Sequence, residues 1–144
     1  MSGYDVVGNI AIIKFDRETS LIKKKIFARK FLEKRIDVRT ILEKVDRFKG
    51  RLRTHVTRYL AGESTKEVLY RENGCMFRFN VDSCYFSPRL ASERKEIAEM
   101  VKKDEDVLVL FGGVAPFAVV IARNSRAKRV VSVELGKECN KYAI

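Results

Sequence analysis

The sequence predicts an α/β chain in two units: a small basic α+β unit over residues 1–82, then the opening part of a parallel, doubly wound sheet over residues 83–144. Three observations predict it. EVLYRENGCMFRFNV, residues 67–81, alternates apolar and polar positions on both sides of Asn73-Gly74, a pair that tolerates the positive φ angles of a tight hairpin turn. SLIKKKIFARKFLEKR, residues 20–35, carries Ile22/Ile26, Phe27/Phe31 and Ala28/Leu32 at helical spacing. DVLVLFGGVAPFAVVIA, residues 106–122, reads as strand, glycine turn and helix.

The elements follow in order. YDVVGNIAIIKF is rich in Val and Ile around Gly8-Asn9, which suits two short strands or one bulged strand. The basic helix comes next, with Ser20 as its N-cap. DVRTILEKV reads as a strand, and the hairpin through Asn73-Gly74 closes the first unit, with the boundary near Val81 to Cys84. In YFSPRLASERKEIAEMV, Ser87 is placed to cap a helix and Pro88 suits its first position, where a missing N–H costs nothing; Leu90, Ile97 and Val101 define its buried stripe. The continuous apolar run Val107 to Phe111 predicts a parallel strand buried on both faces. RVVSVE is a second apolar strand, and GKECNKYAI reads as the start of a helix.

At 144 residues with 46% hydrophobic and 34% charged positions, the chain can bury a core of its own. No stretch approaches the roughly 20 apolar residues of a membrane helix, and the N-terminus lacks the pattern of a secretory signal, so a cytoplasmic location is expected. Cys75, Cys84 and Cys139 match no zinc spacing and read as reduced thiols; no metal site is indicated. The net charge of +11 is uneven. Residues 1–82 hold 19 basic and 11 acidic side chains, and residues 23–58 alone hold 14 basic and 4 acidic, interleaved with Phe27, Phe31, Phe48 and Tyr59. A basic field with interspersed aromatics favours a polyanionic partner.

The glycine turn carries the chemistry of the second unit. Gly112-Gly113 lets the backbone turn sharply and approach a ligand, and Pro116 opens a helix whose first N–H groups face it. Glu134 closes the second strand 21 residues after Gly113, where nucleotide-binding βαβ units carry a ribose-binding carboxylate. Ala115 stands where a second loop glycine is expected, and no Lys-Ser/Thr pair follows, which argues against a triphosphate-binding loop. The spacing leaves a dinucleotide and S-adenosylmethionine as the two options.

YDVVGNIAII, KGRLRTHVTRYLAGE, ENGCMFRFNVDSCYFSPRLASER and FGGVAPF followed by VVSVEL, taken together and in this order, resemble the archaeal and eukaryotic tRNA (guanine-N1)-methyltransferases that modify the purine 3′ of the anticodon, at position 37. The resemblance covers most of the chain. It implies a small RNA-binding-type α+β domain followed by the first part of a Rossmann-like class I methyltransferase domain, S-adenosylmethionine as cofactor and tRNA as substrate. Guanine N1 carries a proton, so the reaction needs a base there and positive charge near O6. By the resemblance Glu93 is the general base and Arg53 holds O6; Tyr85 and Arg89 shape the pocket and contact cofactor or tRNA, and Phe111, Gly113 and Glu134 contact S-adenosylmethionine. His55, a lone histidine, is given no role.

The resemblance also implies more than these residues. Family members normally carry a further domain before YDVVG and continue beyond VEL, through a loop of Asn-Pro-Pro type beside the reacting base. The chain is therefore expected to be the front half of a methyltransferase, with a complementing polypeptide carrying the C-terminal half of that domain as partner. Three other readings stand beside it: a wyosine-pathway aminocarboxypropyltransferase relative, a non-catalytic tRNA-binding module and, more distantly, a nicotinamide-dependent oxidoreductase.

Overall fold

The structure is a computed structural model. It describes residues 3–49 and 54–143, the side chains of 46–49 and 54–55 excepted. Arg53 lies outside the described residues. Four strands, β1 (Gly3–Val7), β2 (Ile10–Lys14), β3 (Thr40–Lys49) and β4 (Thr54–Gly62), form one sheet in that order. β1 and β2 pair antiparallel, so YDVVGNIAIIKF is two strands joined by the Gly8-Asn9 turn. β2 and β3 pair parallel, with the helix α1 (Leu21–Lys34) as their crossover, and β4 returns antiparallel to β3.

Helix α1 forms as its sequence dictates. Ser20 Oγ accepts from the Lys23 N–H at 3.4 Å, Ala28 is fully buried, and Phe27, Phe31 and Leu32 pack on Ile13, Ile41 and Leu60 of the sheet. The Phe15 and Phe27 rings meet edge to face at 5.7 Å, as do Tyr4 and Phe31 at 5.1 Å. Ile22 and Ile26 face solvent, so only two of the three helical pairs serve the core. On the outer face Lys23, Lys25, Arg29, Lys30 and Lys34 are exposed, while Lys24 turns inward to Glu43 at 2.6 Å.

The hairpin is where the sequence places it. β5 (Glu67–Glu72) and β6 (Cys75–Asn80) pair through a turn in which Asn73 has φ 48° and Gly74 φ 73°. Along β6, Cys75, Phe77 and Phe79 point inward, and Met76 and Arg78 outward. The inward set shares one core with Val7, Ile10 and Leu42 of the four-stranded sheet and with Val114, Val120 and Ile121 of the second unit. The hairpin is thus the joint of the molecule. Asp82 reinforces the joint by accepting from the Thr57 N–H and hydroxyl at 3.1 and 2.7 Å while also pairing with Lys66.

After the linker 81–87, a 3-10 turn (Pro88–Leu90) leads into α2 (Ala91–Met100). Two expectations are corrected here. The Ser87 side chain caps nothing, because the proline turn precedes the α-helix and the Ser87 carbonyl itself accepts from Leu90 and Arg94. The buried positions of α2 are Arg94 and Ala98; Leu90, Ile97 and Val101 flank them, half-buried. β7 (Asp106–Leu110), α3 (Pro116–Asn124) and β8 (Arg129–Val133) then build a βαβ unit with parallel strands, followed by α4 (Lys137–Ala143).

The expectation that Val107 to Phe111 is buried on both faces is also corrected. Val107 and Val109 pack inward, while Leu108 and Leu110 are 62% and 58% exposed, and Val131 and Val133 of β8 face the same way. Only one face of this two-stranded sheet is covered by the described residues. Among them, no helix is long and apolar enough to cross a membrane.

Candidate functional site

The glycine turn, the tip of β8 and the linker before α2 enclose a cavity of about 430 Å³. Strand β7 delivers Phe111 with φ 56°, and Gly112 N–H donates to the Val133 carbonyl at 2.9 Å, which ties the turn to the neighbouring strand. Gly113 (φ 59°) and Ala115 (φ 58°) are both left-handed. Ala115 therefore adopts the conformation that a glycine would favour at this position, at a cost of about 1–2 kcal/mol for an L-residue. Its carbonyl accepts from Val119, so the strained residue directly precedes the first turn of α3, where Pro116 sits as expected.

Glu134 organises the floor. Its Oε2 accepts from the Gly113 N–H at 2.8 Å and its Oε1 from the Gly136 N–H at 2.6 Å; its own carbonyl accepts from the Asn140 side chain of α4 at 2.9 Å. Each carboxylate oxygen keeps a lone pair beyond the bond it makes. The structure therefore brings together the glycine and the acid that the spacing singled out. Phe111, Pro116, Phe117 and Leu135 supply apolar walls, and Tyr85, Phe86 and Ser87 close the side toward the linker.

Tyr85, Phe86 and Ser87 also wall a second cavity of about 570 Å³, bounded by β1 and by Pro88 and Arg89. Tyr85, 41% exposed, belongs to both. Arg89 lines only the second, where its Nη2 lies 3.2 Å from Asp5 Oδ1; both side chains are well exposed. Glu93 is exposed in the first turn of α2 and lines neither cavity. So four of the expected residues, Tyr85, Phe111, Gly113 and Glu134, converge on one cavity, Arg89 stands beside it and Glu93 stands apart.

Sequence reasoning missed Arg94. It lines the cavity with 1% exposure, its Nη2 donating to Glu72 Oε2 at 2.6 Å and to the Ser87 carbonyl at 3.0 Å, its Nε donating to Glu72 Oε1. Its guanidinium carbon lies 5.0 Å from the Phe86 ring centre and 5.6 Å from that of Phe117. The signal was present: Arg94 falls four residues after Leu90 and three before Ile97, a charge set within an apolar stripe. Burial, and next the charge of Glu72, raise the Tyr70 hydroxyl above its ordinary pKa on the hairpin side. Cys139, which lines the cavity, donates to the Ser83 carbonyl at 3.6 Å; its interaction with the Cys84 thiol, and next burial, hold the Cys139 thiol above the ordinary range. All three cysteines are free and buried.

Comparison with known proteins completes the picture. Residues 68–144 match the TRM5/TYW2 methyltransferase domain, and residues 1–65 match the TYW2 N-terminal domain. The tRNA (guanine(37)-N(1))/4-demethylwyosine(37)-methyltransferase Taw22 of Nanoarchaeum equitans is 38% identical over 98% of this chain and 46% of its own length. The structure of aTrm5 in complex with tRNALeu superposes with a TM-score of 0.87 at 27% identity, over 99% of this chain and 41% of that one. Methanocaldococcus jannaschii Trm5 in complex with adenosine does so with a TM-score of 0.82 at 26% identity, over 99% and 42%. The chain spans less than half the length of these relatives. With residues 68–144 matched to the family's methyltransferase domain and the fold shared over nearly every residue, the chain belongs to the TRM5/TYW2 methyltransferase family.

Proposed function

We propose that this chain supplies the tRNA-facing unit and the first half of the cofactor site of an S-adenosylmethionine-dependent enzyme that methylates N1 of the guanosine 3′ of the anticodon. The observation that carries the reading is the Glu134 carboxylate held at the tip of β8 against the Gly113 N–H, at the floor of an apolar and aromatic cavity. The donor set fits the nucleoside of S-adenosylmethionine: an acid with free lone pairs suits ribose hydroxyls, and Phe111, Phe117 and Leu135 suit the flat base. When bound, the cofactor supplies an electrophilic methyl group on a sulfonium.

The remaining work falls to the protein. Glu93 is exposed in the first turn of α2, and in this reading it takes the proton from N1. Arg53 neutralises the charge that builds on O6. Tyr85, shared by both cavities, stands between cofactor and base, and Arg89 with the exposed cations of α1 faces the RNA backbone. Residues 1–82 thus carry the RNA-binding role and 83–144 the cofactor role. The open apolar face of β7 and β8 is covered by the remainder of the methyltransferase fold, in the same polypeptide or in a complementing one. A cytoplasmic location accords with a tRNA substrate.

A second reading, aminocarboxypropyl transfer, is favoured by the match of residues 1–65 to the TYW2 N-terminal domain. One assay separates them. The chain, combined with the C-terminal half of the methyltransferase domain, is incubated with tRNA and S-adenosylmethionine labelled either in the methyl or in the carboxyl group. Methyl label on tRNA bearing guanosine at that position, lost when it is adenosine and reduced at least about a hundredfold by Glu93→Gln, is the expected result. Carboxyl label on the tRNA establishes the second reading, and no transfer of either label contradicts both.

A further inference from the structure

Glu93, the base of the reading above, makes no hydrogen bond or ion pair among the described residues. Its position is therefore set by the backbone of the first turn of α2, and that turn lacks the usual means of holding itself. The N-cap is Leu90, which offers no side-chain acceptor, and the Ser87 side chain caps nothing either. A missing polar cap leaves the first N–H groups of a helix without side-chain partners and favours fraying there. The residue that must meet guanine N1 thus stands on the part of α2 least able to hold its own place.

The hairpin turn supplies the hold from outside. Asn73 Nδ2 donates to the Ala91 carbonyl at 2.9 Å, and Glu72, its neighbour in the chain, is the bidentate partner of Arg94. Ala91 and Arg94 are three residues apart and share one face of the helix, so the two grips bracket Glu93 and leave its side chain on the exposed side. Asn73 is itself held. Its carbonyl accepts from Asn124 Nδ2 at 3.0 Å, and the same amide donates to the Val120 carbonyl at 3.0 Å, which ties the turn to the end of α3. A turn alone asks for none of this. The positive φ at Asn73 suits glycine or aspartate as well, and of the three only asparagine brings a side-chain donor.

We propose that Asn73 is a positioning residue for the reaction: through the Ala91 carbonyl it fixes the first turn of α2 and so sets where Glu93 meets N1 of the guanine. The proposal rests on Glu93 as the base and deepens that reading. The grip on Arg94 alone leaves the turn free to pivot about one point, whereas grips on Ala91 and Arg94 together define its direction. Asn73 lines neither cavity and acts through Glu93.

Asn73→Gly and Asn73→Asp both keep a favoured hairpin turn and both remove the donor. Each is made in the chain combined with the C-terminal half of the methyltransferase domain. Single-turnover transfer of labelled methyl to tRNA is then followed, with and without Glu93→Gln. Either substitution is expected to slow transfer about tenfold or more, with the half-saturating concentrations of tRNA and S-adenosylmethionine changed less than about twofold, because the base is misplaced while both ligands are still held. In the Glu93→Gln background the same substitutions are expected to slow transfer less than about twofold further, since no base is left to misplace. Full activity of Asn73→Asp, or losses that multiply with that of Glu93→Gln, overturns the proposal and leaves Glu93 as the base. Full activity of Glu93→Gln removes the base and the proposal together. If Asn73→Gly does not fold, Asn73→Asp decides the matter by the same comparison.

Discussion

Arg94→Leu is expected to lower the stability of the chain by about 3–5 kcal/mol. The loss comes less from the contacts of arginine than from what it leaves behind: the Glu72 side chain, 3% exposed, loses a bidentate partner and remains an uncompensated charge at the end of β5. Glu72→Leu is expected to cost a similar amount for the mirrored reason. The double substitution restores much of what either single one loses, because a buried pair replaced by apolar groups of similar volume is close to neutral. Urea unfolding of the four proteins gives the cycle, and a coupling of several kcal/mol is the predicted outcome. Additive losses would mean that the two side chains act independently and that the fork between hairpin and α2 is not what joins them.

Gly8→Ala is expected to cost about 3 kcal/mol or more, the second large effect. A Cβ at Gly8 would lie 1.9 Å from the Leu69 carbonyl oxygen and 2.7 Å from its carbon, backbone atoms that no rotamer change can move, and the residue sits at φ 55°. The same turn binds the hairpin to the four-stranded sheet: Asn9 Oδ1 accepts from the Leu69 N–H at 2.8 Å, and the Asn9 carbonyl accepts from Arg39 and Thr40 at 2.8 and 3.2 Å. Alanine there must push the hairpin away from the four-stranded sheet. Gly74→Ala is the control. It also lies at positive φ, 73°, but a Cβ there meets nothing within 4 Å, so only the conformational cost of about 1 kcal/mol applies. Equal melting temperatures for the two variants would show that the close approach at Gly8 does not matter.

These two positions also show what the sequence could and could not disclose. Asn73-Gly74 was legible because alternation and a turn dipeptide are local signals, and α1 was legible from Ser20 and its apolar spacing. Gly8 was legible as a turn, but not as the point where β5 crosses it, since that contact spans some 60 residues. β4 passed unassigned: Thr54–Gly62 is too mixed in polarity to announce a strand, and it forms by pairing with β3. Val107 to Phe111 misled because an apolar run implies cover on both faces, and the described residues cover one. At the site, Gly113 and Glu134 could be found because a nucleotide-binding turn fixes their separation along the chain. Arg94 could not be given a partner from sequence, because Glu72 reaches it only after the hairpin docks on α2.

The central claim is that the glycine turn and Glu134 form a cofactor site for S-adenosylmethionine. Its most direct measurement is calorimetric titration of the purified chain and of Glu134→Ala with S-adenosylmethionine and with a nicotinamide dinucleotide. The expected result is saturable binding of S-adenosylmethionine with no dinucleotide binding, weakened about tenfold or more in Glu134→Ala, where hydrogen bonds from ribose hydroxyls to a charged acceptor are lost. Affinity for S-adenosylmethionine unchanged by Glu134→Ala, or preferential binding of the dinucleotide, would contradict the account.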